Sequence, residues 1–392
     1  MITMERINFY KETSFKDTEI GRIAEDWKIV MLDEKVDILD KYRMPLKEQE
    51  RKEKKGVYPY CGANGIIDYI NEYIFDGEYV LFAEDGGYFE KFEKSAYLMK
   101  GKFWANNHVH ILQAKNGLIN LFLYYSLIYL DLTPYVVGST RKKLNQSALK
   151  SIKIPFPPLE EQKAIAKVLK DFDDLLEIID KQIKKLERIK KGLMNEYFTK
   201  GIFKHEKFKN TEIGSIPEAW EIVKVKDCIY RIISKKGLKE NEIKTSGKYP
   251  IISQGKEKIL GFTDNQKEII NEDLPLIVFG DHTCEVKYVN FPFAVGGEGV
   301  KLLKPLSDIY PLFFYYALKK FKPKAEHYRR HFKLLKDRII LLPSLEEQKA
   351  IAERLKAVDD LIETKQKEKE HLERAKKKVM DLLLSGKVRI KN

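Results

Sequence analysis

From Glu160 to about Tyr197, apolar residues return at every third or fourth position: Ile165, Leu169, Phe172, Leu176, Ile179, Ile183, Leu186 and then Leu193. Steps that alternate between four and three residues are the seam of a coiled coil, one apolar stripe on a helix facing a stripe on another. Only Gly192 interrupts a span otherwise without glycine or proline. The spacing recurs at Ile351, Leu355, Val358 and Ile362, passes through Lys365 and Lys369, and resumes at Leu372 and Val379. The two lysines predict looser packing in the middle of the second seam. Each pattern predicts a helix of about 40 residues, or about 60 Å at 1.5 Å per residue.

Outside these spans the apolar period changes. Trp27–Leu32 and Trp220–Val225 alternate as strands do. The runs Tyr79–Ala83 and Leu276–Gly280 are short and continuously apolar, which predicts buried strands. Leu118–Leu130 and Ile309–Phe321 read as helices. Pro155, Pro157 and Pro158 precede the first long helix and Pro343 the second. Proline fixes φ and has no N–H, so these residues mark boundaries.

The predicted elements come in the same order twice because the sequence is duplicated. Phe15–Val30 reads FKDTEIGRIAEDWKIV and Phe208–Val223 reads FKNTEIGSIPEAWEIV. Leu121–Tyr125 (LFLYY) answers to Leu312–Tyr316 (LFFYY), and LEEQKAIA occurs unchanged at Leu159–Ala166 and Leu345–Ala352. Asp173-Asp174-Leu175 follows in the first copy and Asp359-Asp360-Leu361 in the second. The expected organisation is a globular unit over residues 1–157, a long helix over 158–200, a second unit over 201–343, and a second helix with a tail over 344–392. The fold class is α+β: two similar α/β units separated by two long helices. A whole unit lies between the helices, enough chain for them to pair antiparallel within one molecule about a pseudo-twofold axis; pairing between molecules is the alternative.

Between the matched segments the copies diverge. Lys41–Lys55 is a dense run of charge, whereas Ile232–Ser246 is more neutral, and Ala105–His110 (ANNHVH) faces Gly296–Lys301 (GGEGVK). A shared framework with dissimilar inserts predicts related units that bind different things.

Composition narrows what those things are. Among 392 residues, 33% are charged, and Lys and Arg (72) exceed Asp and Glu (59) for a net charge of +13. Such an excess favours a polyanion, nucleic acid before a membrane surface. The longest apolar stretch, Leu118–Leu132, is interrupted by Asn120, Ser126 and Asp131 and is too short to span a bilayer. Met1–Phe15 has no signal-peptide core. Cys61, Cys228 and Cys284 form no CxxC pair, which argues against a zinc site or disulfide framework and fits a reducing cytoplasm.

Catalytic signatures are few. The sequence has no GxxxxGK[ST] and no GxGxxG after a strand. Phe156-Pro157-Pro158-Leu159 and Asn290-Phe291-Pro292-Phe293 both miss the adenine-methyltransferase pattern of Asn or Asp, two prolines and an aromatic. Asp281, Glu285 and Lys287 have the spacing of a metal nuclease, and the alternative is charge at a strand end. His108 and His110 stand two apart, as strand-borne metal ligands do, but without a third ligand. Basic residues recur before both proline boundaries, with aromatic and amide groups between them, a composition suited to phosphate clamps and base-edge hydrogen bonds. The candidate DNA contacts are Lys41, Arg43, Lys47, Asn107, His108, Arg141, Lys142 and Lys143 in the first copy, and Lys235, Lys236, Lys324, Arg329, Arg330 and His331 in the second.

Taken in order, the paired TEIG-x-I-x-x-x-W segments (Thr18–Trp27, Thr211–Trp220), the proline-led LEEQKAIA segments and the terminal Leu384-Ser385-Gly386-Lys387-Val388 resemble the specificity subunit of type I restriction–modification systems over the full length. The resemblance implies two target-recognition domains, each reading half of a split sequence in double-stranded DNA. It implies a coiled coil that sets the spacing and docks two methyltransferase subunits, with restriction subunits joining the full complex. It also implies no catalytic residue and no cofactor in this chain; S-adenosylmethionine, ATP and Mg2+ serve the partner subunits. Ser344 stands where the first copy has Pro158, which leaves the start of the second helix open. A metal nuclease built on Asp281, Glu285 and Lys287, and a coiled-coil adaptor without DNA affinity, are the other readings.

Overall fold

A computed structural model describes residues 8–138, 142–233, 236–325 and 330–391. The chain forms two compact units, Met1–Asp180 with Lys367–Asn392, and Lys181–Gln366. Each long helix, Leu159–Tyr197 and Leu345–Leu384, is therefore divided between the units.

The first unit is built on a six-stranded sheet, in the order Val36–Ile38, Val109–Ala114, Phe75–Ala83, Ala96–Ala105, Lys55–Gly62, Gly65–Ile70. Alternation assigns the two faces. Val80, Phe82 and Leu112 pack beneath the helix Asn120–Tyr129, against Phe122 and Leu123. Leu81, Val109 and Ile111 pack on the opposite face with Phe75 and Phe103.

The second unit repeats the plan. Ile229–Ile233, Val300–Pro305, Leu276–Gly280 and Val286–Val289 stand in the spatial order of the first four strands above. The rest differs for a local reason. In the first unit Ala96–Ala105 runs unbroken, passing Gly101 at φ +85°, and carries pairing across the whole sheet. The matching stretch of the second unit is cut at Asn290-Phe291-Pro292 into Val286–Val289 and Phe293–Val295. Proline cannot donate to a ladder, and the second unit has two four-stranded sheets in place of one of six.

The conserved words of the duplication are joints between unit and helix. Trp27 Nε1 donates to Glu161 at 3.1 Å, and Trp220 Nε1 to Glu347 at 2.9 Å. Gln162 donates to the Pro157 carbonyl and accepts from the Ile119 amide; Gln348 does the same with Pro343 and Tyr310. Tyr125 donates to Asp173 at 2.7 Å and Tyr316 to Asp359 at 2.8 Å. The Pro158-to-Ser344 difference does not move the helix start. Both helices begin one residue later, and the Ser344 hydroxyl accepts the Glu347 amide, a serviceable cap.

Within the first unit the two helices run antiparallel: Asp173 pairs with Lys376 and, further along, Asp180 with Lys369. Within the second, Lys190 pairs with Asp359, and Leu193 joins the core of Ile351 and Leu355. The pairing is intramolecular. Every seam residue predicted from the spacing is buried or half-buried, while the off-seam Leu175, Ile178, Ile189 and Leu361 are exposed. At the polar position Lys369 the ammonium donates to Asp180 at 2.7 Å, so an ion pair takes the place of an apolar contact. At the chain ends, Asn8–Lys11 pairs with Val388–Lys391, and the buried Arg389 donates to Glu161, Glu12 and Asp26.

Candidate nucleic-acid interface

In both units the central buried strand ends on an acidic residue, Glu84 after Phe75–Ala83 and Asp281 after Leu276–Gly280. The same backbone bonds gather loops there. The Glu84 amide donates to the His108 carbonyl at 2.9 Å, and its carbonyl accepts from Leu144 at 2.7 Å. The Asp281 amide donates to Gly299 and its carbonyl accepts from His331, both at 2.7 Å. So in each copy the loop after the strand, the diverging loop of the next hairpin and the basic segment before the proline boundary meet at one place.

In the first unit the junction is ionic. Arg43 donates to Glu84 at 2.5 Å and to the Val109 carbonyl at 3.0 Å, and its guanidinium lies 3.5 Å from Asp40. His110 is fully buried, with Nδ1 2.6 Å from Asp40 and Nε2 2.8 Å from the Leu144 carbonyl. Burial raises the Asp40 carboxyl, but the hydrogen bond and charge of His110, with Arg43 beside it, hold it below the ordinary value. Glu84 is likewise raised by burial and brought below its ordinary value by Arg43 and Lys143. Beside this cluster lies a groove of about 420 Å³ lined by Asn64, Ile66, Ile67, Asp85, Asn106 and His108. His108 Nδ1 is 2.9 Å from Asp85, and Asn64 donates to the Gly86 carbonyl.

Among the described residues, the second unit closes the same junction with one carboxylate and with amide and hydroxyl groups. The Asp281 carboxylate accepts the Phe332 amide at 2.8 Å. Gln254 accepts the His282 amide through its side chain and the Thr283 hydroxyl through its backbone carbonyl. The Gly297 amide donates to the Leu238 carbonyl and the Leu238 amide to the Val295 carbonyl, which brings the segment after Lys236 to the diverging loop.

The structure gathers some of the predicted contacts and turns others inward. Asn107, His108, Lys142 and Lys143 surround the first junction, with Asn107 and Lys143 exposed. Lys142 pairs with Glu90. Lys41 is exposed next to Asp40, while Lys47, also exposed, caps the short helix Glu48–Glu53. Arg43 spends its guanidinium inside the cluster, and His331 is fully buried at the second junction; both brace loops instead of facing solvent. Lys236, Lys324 and Arg330 are exposed. Arg141, Lys235 and Arg329 lie outside the described residues. Sequence reasoning missed Asp40 and Glu84 as braces. The available signal was an acid immediately after the buried apolar run in both copies.

The nuclease geometry does not assemble. Asp281 holds the Phe332 amide, Glu285 is 3.7 Å from Lys322, and Lys287 is turned to the carbonyls of Ser253 and Glu257, where burial keeps its ammonium below the ordinary lysine range. Among the described residues, Asp40, Glu84 and His110 are the group whose ligand atoms lie close enough for a metal ion. Arg43 already occupies that space with its positive charge.

The chain matches the family model of the type I restriction modification DNA specificity domain twice, over residues 24–188 and 217–374. It is 34% identical to the type I restriction enzyme MjaVIII specificity subunit of Methanocaldococcus jannaschii, over 98% of both chains. The MjaIX specificity subunit of the same organism is 29% identical over 68% of this chain and 66% of its own. The crystal structure of a type I restriction–modification S subunit from M. genitalium shares the fold, with a TM-score of 0.65 and 19% identity, over 95% of this chain and 99% of that one.

Proposed function

The chain belongs to the type I restriction modification DNA specificity family, and from that membership we propose how its parts divide the work. Each unit reads one half of a split target in double-stranded DNA, through the loops gathered at Glu84 and at Asp281. The paired long helices fix the separation of the halves and dock two methyltransferase subunits, with restriction subunits in the full complex. The chain itself is non-catalytic and carries no cofactor; S-adenosylmethionine, ATP and Mg2+ serve the partners. The setting is the cytoplasm, in keeping with the buried free thiols of Cys61, Cys228 and Cys284. No helix of the described residues is long and apolar enough to cross a membrane.

One observation carries this reading. The same three-loop junction recurs in two units of matching topology, while the described residues filling it differ: Asp40, Arg43, Glu84 and His110 in the first, Asp281, Gln254 and His331 in the second. Two frames with unlike fillings suit two unlike half-sites better than a symmetric adaptor. The test is co-expression of the full chain with its methyltransferase partner and sequencing of the methylated bases. A motif of two short defined blocks around an undefined spacer supports the reading. A single block, or methylation independent of this chain, overturns it.

A further inference from the structure

The buried cluster of the first unit ties together the segments that carry its candidate base-reading residues. His110 sets its character. Its Nε2 faces a backbone carbonyl, which only accepts, and its Nδ1 faces Asp40. Asp40 also takes the Ile111 amide at 3.1 Å and Gln146 Nε2 at 3.3 Å, so it too accepts throughout. Both ring nitrogens of the fully buried His110 therefore face acceptors, so the ring bridges the Asp40 carboxylate and the Leu144 carbonyl. Arg43 and Glu84 form an ion pair alongside, with Lys143 at the rim, 3.1 Å from Glu84.

Four segments hang on these groups. Asp40 and Arg43 fix the turn bearing Lys41. Glu84 fixes the strand end before Asp85. His110 fixes the hairpin carrying Asn107 and His108. The Leu144 carbonyl and Gln146 hold the segment after Lys142 and Lys143. We propose that His110 and Asp40 are positioning residues for recognition by the first unit. Neither reaches the surface, yet together they hold four reading segments in one register, so the specificity of that unit's half-site depends on them. The inference rests on the DNA-reading function proposed above.

A misplaced loop loses base contacts before it loses the fold. In the full chain with its methyltransferase partner, His110→Gln should lower discrimination in one half of the methylated motif by at least about tenfold. The other half should stay within about twofold. The double variant His110→Gln with Asp40→Asn should recover part of that loss, because the single variant leaves the buried Asp40 carboxylate without its 2.6 Å partner. An unchanged motif in both variants overturns the positioning role. Equal loss in both halves that the double variant does not relieve overturns it too, since the cluster would then support the whole fold. If the parent methylates no two-part motif, the failure lies in the DNA-reading function and not in this cluster.

Discussion

At the residue scale, the ionisable groups of the first junction make its stability depend on pH with a definite sign. Asp40 and Glu84 both have folded-state values below their ordinary ones. A depressed carboxylate contributes stability above its unfolded value, and the contribution disappears as pH falls toward the folded one. Urea unfolding should therefore show the parent losing stability below about pH 4. Asp40→Asn should flatten that dependence while lowering stability at pH 7 by about 3–5 kcal/mol, the cost of orphaning a buried partner charge. A variant as stable as the parent at pH 7 would refute this. The thiols of Cys61 and Cys228 are pushed by burial up to about 12. At pH 7.5 the native chain should resist iodoacetamide at both and react once unfolded, as peptide mass mapping would show. Little of this was readable from sequence. Charge at Lys41–Lys47 and around His108 is plain, but Arg43 and His331 turn inward because of partners distant in sequence: Glu84 for the first, Asp281 for the second. Spacing along a chain carries no such information.

At the element scale the sequence was far more legible. A seam needs only periodicity, and Ile165, Leu169, Ile351 and Leu355 are fully buried at the predicted positions. The duplicated words were visible as words, but not as joints. The Tyr125–Asp173–Lys376 and Tyr316–Asp359–Lys190 triads show why these acids recur: each ties a unit's helix to both long helices within that unit. The polar break in the second seam was legible, whereas the partner that closes it was not. Asp173→Ala and Asp359→Ala should each destabilise the chain by about 1–3 kcal/mol, because each leaves a tyrosine hydroxyl and an ammonium without their acceptor. A double-mutant cycle of Asp173 with Lys376 should give a coupling of at least about 0.5 kcal/mol. Additive effects would mean that the pair contributes nothing beyond its separate contacts.

At the scale of the whole molecule, duplication separates the two readings of DNA, and the surface charges make that separation measurable. The outward-facing cations differ between the units: Lys142 and Lys143 in the first, Lys236 and Arg330 in the second. Lys142 is paired with Glu90, but both side chains are about half exposed, and an exposed pair is worth roughly 0–1 kcal/mol. A phosphate therefore has little to overcome in taking the lysine. Each phosphate contact releases condensed counterions, so its removal should weaken binding at every sequence and reduce the logarithmic salt slope by about one. Lys142→Ala with Lys143→Ala should then lower affinity for duplexes that keep only the first unit's half-site and leave those keeping only the second unaffected. Arg330→Ala should give the converse pattern. Titrations at three or more salt concentrations, with the methyltransferase partner present, separate the outcomes. Parallel salt lines for variant and parent would move the contacts away from these loops. Equal losses at both half-sites would show that the two units do not read DNA independently, whatever their common ancestry.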